Sequence, residues 1–182
     1  LVVTVYIPTA TPRDRDIRNG LSVPPEFNFR TLLDILQHPG WALAMLRQGV
    51  TEFANLTPHL PQDLSLAQLG VHISALLECP VSREKLGWYR AQWPGSLIVK
   101  GILDADDAAA CVDIGADAIV VSNHGGRQLD AAQTAIDALP AIRDAVGAEF
   151  PLLADGGIRN GLDIGRYLAL GADFVLLGRP FM

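Results

Sequence analysis

The sequence predicts an α/β fold, an incomplete arc of a (β/α)8 TIM barrel. Three observations predict it. Between residues 96 and 180, four short apolar runs alternate with segments of helical pattern. The runs are continuously apolar, as in parallel strands covered by helices. Each run closes on polar or glycine residues at its carboxyl end, where βα-barrels carry their chemistry.

The elements follow in order. "LVVTVYI" opens the chain as a first strand. "TATPRDRDIRNGLSVPPEFN" is proline-rich and charged and reads as a loop. "TLLDILQHPGWALAMLRQG" holds apolar helical turns broken at Pro39 and Gly40, and "TPHLPQDLS" is loop again. "SREKLGWYRAQWPG" reads as a helix leading into the strand "SLIVKGI" at 96–102. "DADDAAACVDIGA" is a helix opened by acidic residues and closed near Gly115. Then come strand 117–123, helix 134–147, strand 151–157, helix 161–172 and strand 173–180. No repeat or low-complexity segment is evident.

A complete eight-stranded barrel takes about 250 residues. Five strands in 182 residues therefore predict part of one. The chain begins at Leu1, on a strand, and stops two residues after "GRP". Both ends are expected to be cut from something longer. The domain expectation is one domain over 1–182, with 9–81 inserted after the first strand.

Composition narrows the class. Hydrophobic residues are 49% and mean hydropathy is +0.25, which predicts much buried surface. The net charge of −6 speaks against nonspecific nucleic-acid binding. Cys79 and Cys111 lie in unrelated contexts, with no metal-ligand spacing and no disulfide framework. A reducing compartment fits best. No apolar run reaches a membrane span, and no signal peptide is read.

Four places carry chemistry. "LADGGIRNG" puts Gly156, Gly157 and Arg159 where a strand meets a loop, and "LLGRP" repeats the idea with Gly178 and Arg179. Glycines let backbone N–H groups approach a phosphate, and arginine adds a charged fork. Two such turns after the last two strands match the barrel phosphate site. The bland alternative is a pair of tight turns with surface arginines. Lys100 ends an apolar strand, so it reaches a polar site or snorkels to water. In "IVVSNHGGRQLD", His124 can take a proton near neutral pH and Arg127 can hold a carboxylate with two hydrogen bonds. Gly125 and Gly126 keep the space around them open. His38, His59 and His72 lie in the irregular region and are expected to be bystanders.

"LIVKGIL", "VVSNHGGRQLD", "LADGGIRNGLDI" and "ALGADFVLLGRPF" resemble the FMN-dependent α-hydroxy acid oxidase and dehydrogenase family. That family includes glycolate oxidase, L-lactate dehydrogenases and mandelate dehydrogenase. The resemblance covers most of 96–181 and extends more loosely to "TVYIPTATPRDRDIRNG". It implies strands 4 to 8 of the barrel, with FMN as cofactor. It implies that Lys100 sits by the flavin N1/O2 edge, and that Ser122 and Thr4 hydrogen-bond the flavin. Asp155, Gly156, Gly157, Arg159, Gly178 and Arg179 are implied to hold the ribityl chain and phosphate. His124 is implied to be the base toward a 2-hydroxy acid, best guess L-lactate. Arg127 is the implied carboxylate clamp, with Arg13 assisting. Hydride and carbanion routes both stay open. No metal is expected.

The chain departs from the family pattern in two ways. The first strand reads Thr4-Val5-Tyr6 where the family has T-V-D. That aspartate stabilises the protonated histidine, and tyrosine carries no charge near neutral pH. His124 is therefore expected to be a poorer base. The first three strands and the C-terminal helix are absent, so the chain alone is expected to be unstable, aggregated or partner-dependent. Expected partners are a small 2-hydroxy acid and an electron acceptor left open among quinone, cytochrome and oxygen. A homo-oligomer is expected at full length. The expected location is cytoplasmic, with peripheral contact on the inner face of the cell membrane left open. Apolar Phe27, Phe29, Leu32, Leu33, Leu36, Trp41, Leu43 and Met45 are candidates for that contact, or else pack on the barrel. Two other readings compete: a non-catalytic remnant keeping a phosphate or FMN site, and a different phosphate-binding barrel enzyme such as an isomerase. The NHGGR motif speaks against the last.

Overall fold

The computed structural model describes residues 1–5, 17–20, 28–49 and 80–181, with single positions at 54, 55, 58, 61 and 68. Chain contacts fall into two compact units, Leu1–Thr11 with Glu78–Met182, and Pro12–Leu77.

The first unit holds one parallel sheet of five strands in chain order. They are β1 (Val2–Thr4), β2 (Ile98–Ile102), β3 (Ala118–Val121), β4 (Leu152–Asp155) and β5 (Phe174–Leu176). α4 (Ala105–Ile114), α5 (Ala135–Val146) and α6 (Gly161–Ala169) connect β2 through β5. α3 (Arg83–Gln92) precedes β2. This is an arc of consecutive βα units, an incomplete barrel.

Each helix of this unit starts on a side chain that satisfies free backbone N–H groups. Asp104 accepts from Asp106 and Asp107, Thr134 from Asp137, and Asn160 from Leu162 and Asp163. α4 ends on Gly115 in the left-handed conformation, φ 88°.

β3 is buried at every residue. Ile119 and Val121 join Val99, Leu152, Ala154, Leu139 and Ile142 in the core. A register shift falls on β2 between Lys100 and Ile102, at Gly101, whose φ is +112°. The extra residue is a β-bulge. Simple alternation would put Ile102 on the face of Lys100. With the bulge, Ile102 joins Val99 in the core while Lys100 lines a cavity.

Two matching clasps close the amino ends of the strands. Asp117 accepts the Leu97 N–H at 2.8 Å and Asp173 accepts that of Leu152 at 2.8 Å. Arg90 binds Asp117 and the Gly115 and Gly95 carbonyls. Arg143 binds Asp173 and the Gly171, Gly147 and Phe150 carbonyls. Each clasp ties a helix end to two neighbouring strands.

Boundaries are shorter than the sequence suggests at the last strand. The run 173–180 pairs only over Phe174–Leu176, then turns through a short 3-10 segment, Arg179–Phe181. Pro180 has no N–H for a ladder. β1 likewise pairs only over Val2–Thr4.

In the second unit, α1 (Phe29–Gln37) starts on Asn28 and stops at His38. α2 (Pro39–Gln48) restarts with Pro39 in its first turn. The break expected at Pro39 and Gly40 falls there because a residue before proline is steered out of the helical region. Among the described residues, no helix is long and apolar enough to cross a membrane.

Candidate active site

Register brings the chemistry together. Thr4 pairs with Lys100, Lys100 with Val120, and Asp155 with Leu176. The carboxyl ends of the strands therefore form one rim. A cavity of about 350 Å³ opens there. It is lined by Lys100, His124, Arg127 and Asp155 together with both glycine–arginine turns. That volume suits a small-molecule site. Four of its lining side chains are cationic, Lys100, Arg127, Arg159 and Arg179, against the one carboxylate of Asp155. The balance favours an anionic ligand.

Ser122 is the hub of this rim. It is fully buried. Its Oγ accepts from Lys100 Nζ at 3.1 Å and from the His124 N–H at 3.1 Å. Lys100 also forms an ion pair with Asp155, and both side chains are less than a fifth exposed. The other Asp155 oxygen, Oδ1, is buried and has no hydrogen-bond partner. A buried carboxylate oxygen of this kind needs a donor.

His124, Gly125 and Gly126 all take positive φ, at 57°, 65° and 72°. His124 is the non-glycine residue with positive φ among the described residues. Such a conformation is costly for a side-chain-bearing residue and persists where its surroundings impose it. Asn123 Oδ1 accepts the Gly126 N–H at 3.2 Å, and Asn123 Nδ2 donates to the Gln133 carbonyl at 3.2 Å. Arg179 Nη2 donates to the Gly125 carbonyl at 3.3 Å.

At the neighbouring turn, Gly156 and Gly157 have φ of +93° and +71°. A Cβ on Gly157 or Gly178 would meet nothing within 4 Å, so both positions face open space. Tyr167, from α6, donates its hydroxyl to the Gly156 carbonyl at 2.7 Å. Burial, helped by nearby Asp155, raises the Tyr167 pKa, so the phenol stays a donor. The Arg159 N–H is held by Asp163 at 3.0 Å.

FMN brings a phosphate dianion and a chain of hydroxyl donors. The open glycine turns with Arg159 and Arg179 fit the first, and the unpartnered Asp155 oxygen fits the second. The residues present therefore fit the group.

The structure brings Lys100, His124, Arg127, Asp155, Gly156, Gly157, Arg159, Gly178 and Arg179 to one cavity, with Ser122 hydrogen-bonded beneath it. Thr4 sits beside Lys100 in register but outside that lining. Arg13 and Tyr6 lie outside the described residues, as do His59, His72 and Cys79. His38 caps α1 in the second unit, its Nδ1 2.8 Å from the Asp34 carbonyl oxygen. Sequence reasoning missed Asn123, Asp163 and Tyr167. Asn123 had a signal, because asparagine before glycine favours a side-chain-closed turn. Tyr167 had none: only the fold brings it under Gly156.

Comparison with known proteins follows the same line. Residues 1–182 match the family described as FMN-dependent dehydrogenase. The L-lactate dehydrogenase of Xanthomonas campestris pv. campestris (strain 8004) is 45% identical over 183 residues, 100% of this chain and 47% of the relative. That of Yersinia pestis (strain Pestoides F) is 45% identical, covering 100% of this chain and 48% of the relative. Among solved structures, the monotopic membrane protein (S)-mandelate dehydrogenase matches at a TM-score of 0.85 and 37% identity, over 99% of this chain and 47% of that one. Mandelate oxidase matches at 0.66 and 34% identity, over 98% and 42%. The chain spans about half the length of the curated relatives it matches. With a family match that runs from its first residue to its last, the chain belongs to the FMN-dependent dehydrogenases, a family of flavin oxidoreductases.

Proposed function

We propose that this chain carries the carboxyl-end half of a site for FMN-dependent oxidation of an L-2-hydroxy acid to the 2-keto acid, with L-lactate as the substrate. One observation carries the reading: a single cavity is lined by Lys100, His124, Arg127 and both glycine–arginine turns. The bound cofactor supplies the two-electron acceptor. His124 takes the substrate hydroxyl proton. Arg127 holds the carboxylate by two parallel hydrogen bonds, with Arg13 assisting from the preceding loop. Lys100, anchored by Ser122 and Asp155, sets positive charge beside the pocket floor, and Thr4 stands next to it. Arg159 and Arg179 bind the phosphate with Gly156, Gly157 and Gly178. Residues 9–81 are an insertion within one FMN-binding domain.

Contact with a membrane surface is part of the same proposal. Phe29, Leu32 and Leu36, at helical spacing along α1, are 74%, 53% and 66% exposed, which leaves an apolar stripe open. The matched mandelate dehydrogenase is described as monotopic. The acceptor that goes with such contact at the inner face is a quinone. Sedimentation with neutral lipid vesicles tests this, and no loss of binding on Leu32→Glu or Leu36→Glu would refute it.

The test of function is a visible spectrum of the protein with FMN, before and after anaerobic L-lactate. Bound flavin that bleaches is the expected result. Bound flavin that does not bleach supports the second reading, a phosphate-anchored flavin module without turnover, which Tyr6 in place of the family's aspartate favours. No bound flavin would overturn both.

A further inference from the structure

We infer that Arg179 is a positioning residue for His124, linking the anion-binding turn after β5 to the turn that carries the proposed base. The inference rests on the function proposed above and goes beyond it, because it joins two parts of the site that the reaction uses separately.

Beyond its own backbone hydrogen bonds, side chains hold the left-handed turn His124–Gly126 at three backbone groups. Ser122 Oγ holds its first N–H and Asn123 Oδ1 holds the Gly126 N–H, both from within the same loop. The middle carbonyl, on Gly125, is held by Arg179 from 54 residues away. The approach is close enough that a side chain at 125 would displace the guanidinium. A Cβ on Gly125 would lie 2.5 Å from Arg179 Nη2. Glycine at 125 therefore serves two needs, a φ of +65° and a seat for the guanidinium.

A guanidinium has five N–H donors in a rigid plane. One is spent on Gly125. Arg179 also lines the cavity, so others remain for an anion there. An anion that fixes the guanidinium fixes Gly125, and so narrows the positions open to His124. By linkage, a change at Gly125 must weaken the anion in return. Lysine keeps the charge at 179 but not the fork, so it can bind an anion without bridging to Gly125.

The first experiment needs no flavin. Diethylpyrocarbonate modification of His124 is followed by peptide mass spectrometry in the apoprotein, with and without inorganic phosphate. The exposed His38 serves as internal standard. Phosphate should slow modification of His124 about fivefold or more, with His38 unchanged. In Arg179→Lys, calorimetry should still detect phosphate, while the protection of His124 is lost. Equal protection in both proteins, or none in the wild type, would overturn the inference. The second experiment is reciprocal. Gly125→Ala should weaken FMN, read by fluorescence quenching, roughly tenfold. An unchanged FMN affinity would overturn the coupling. Circular dichroism melting distinguishes this from misfolding, and Gly126→Ala, which meets Asp130 rather than Arg179, is the comparison expected to spare affinity. In turnover, Arg179→Lys should lower kcat while leaving KM for lactate unchanged. Absence of lactate-dependent bleaching would sink the proposed function and leave the phosphate footprint standing.

Discussion

Lys100, midway along β2, and Asp155, at the end of β4, stand two strands apart and form an ion pair across β3. Ser122, which follows β3, accepts from the same ammonium at 3.1 Å. A lysine on an apolar strand is tolerable only with such partners. The pair also leaves one carboxylate oxygen without a donor, which a ligand hydroxyl would satisfy.

Asp155→Asn should therefore cost about 1–3 kcal/mol in urea unfolding, because Lys100 loses its counter-charge while remaining mostly buried. Lys100→Met should cost a similar amount. The double variant Lys100→Met/Asp155→Asn should lose less than the sum, since neither charge is then stranded. Strict additivity would show that the pair is not coupled in the folded protein.

His124 separates chemistry from binding. His124→Asn should lower turnover of L-lactate roughly 10²- to 10⁴-fold, the usual worth of a positioned base. FMN affinity should stay within about twofold of wild type, because the phosphate turns remain intact. Stopped-flow bleaching and flavin fluorescence report the two quantities. A histidine that merely packed would leave bleaching fast.

Arg127 makes the opposite split. Its side chain is exposed at the cavity rim, open to a substrate carboxylate. Arg127→Lys keeps the charge and loses the fork. KM for lactate should rise about 10- to 100-fold, from the 1.5–3 kcal/mol of a charged hydrogen bond. A change confined to kcat would assign Arg127 to the reaction step instead.

Much of this site was legible because βα-barrels place function at strand ends, and strand ends can be read from sequence. "IVVSN" and "LLADGG" each show an apolar run closing on small polar residues. What was hidden is what depends on pairing across distance. The bulge at Gly101 leaves no mark beyond a glycine in a strand. The Arg179 contact to Gly125 joins residues 54 apart. The clasps at Asp117 and Asp173 were written twice in the sequence, as "IGADAIV" and "LGADFVL". Their meaning required seeing that each carboxylate caps an N–H at the start of the neighbouring strand, Leu97 just before β2 and Leu152 in β4.

Those clasps set an acid limit. The backbone N–H of Leu97 holds the Asp117 pKa below its ordinary 3.8, with Arg90 adding to the effect. The N–H of Leu152 does the same for Asp173, assisted by Arg143. A depressed folded-state pKa stabilises the fold above the unfolded value, and that contribution disappears as pH falls through the folded value. Stability should be flat from neutral pH to about 5 and fall below 4. Asp173→Asn should flatten part of that fall in urea titrations between pH 3 and 5. A slope identical to wild type would remove Asp173 from the account.

The tyrosine at position 6 predicts a gain of function. A carboxylate beside a histidine favours its protonated form, so it strengthens the histidine as a proton acceptor. The chain has Thr4-Val5-Tyr6 where the family pattern it resembles implies an aspartate in third place. Tyr6→Asp should raise turnover by about tenfold and move the acidic limb of the pH–rate profile upward. No gain, with flavin binding intact, would show that His124 draws its basicity from elsewhere.

The sheet itself makes the last prediction. β1 and β5 each pair on one side only among the described residues. Val2 is 55% exposed and Phe174 66%, so the two edges offer unpaired backbone next to open apolar side chains. Such edges template association with another strand. The 182-residue chain alone should therefore form larger species as its concentration rises, read by light scattering. Phe174→Lys should reduce that association, because a charge on an edge strand resists pairing. Adding in trans the part of a lactate dehydrogenase relative that this chain does not match should reduce it further and sharpen thermal unfolding. The lysine variant acts on one edge and the added part on both, so their difference measures what β1 contributes. A chain that stays monomeric at every concentration would mean that residues outside the described set already cover the edges.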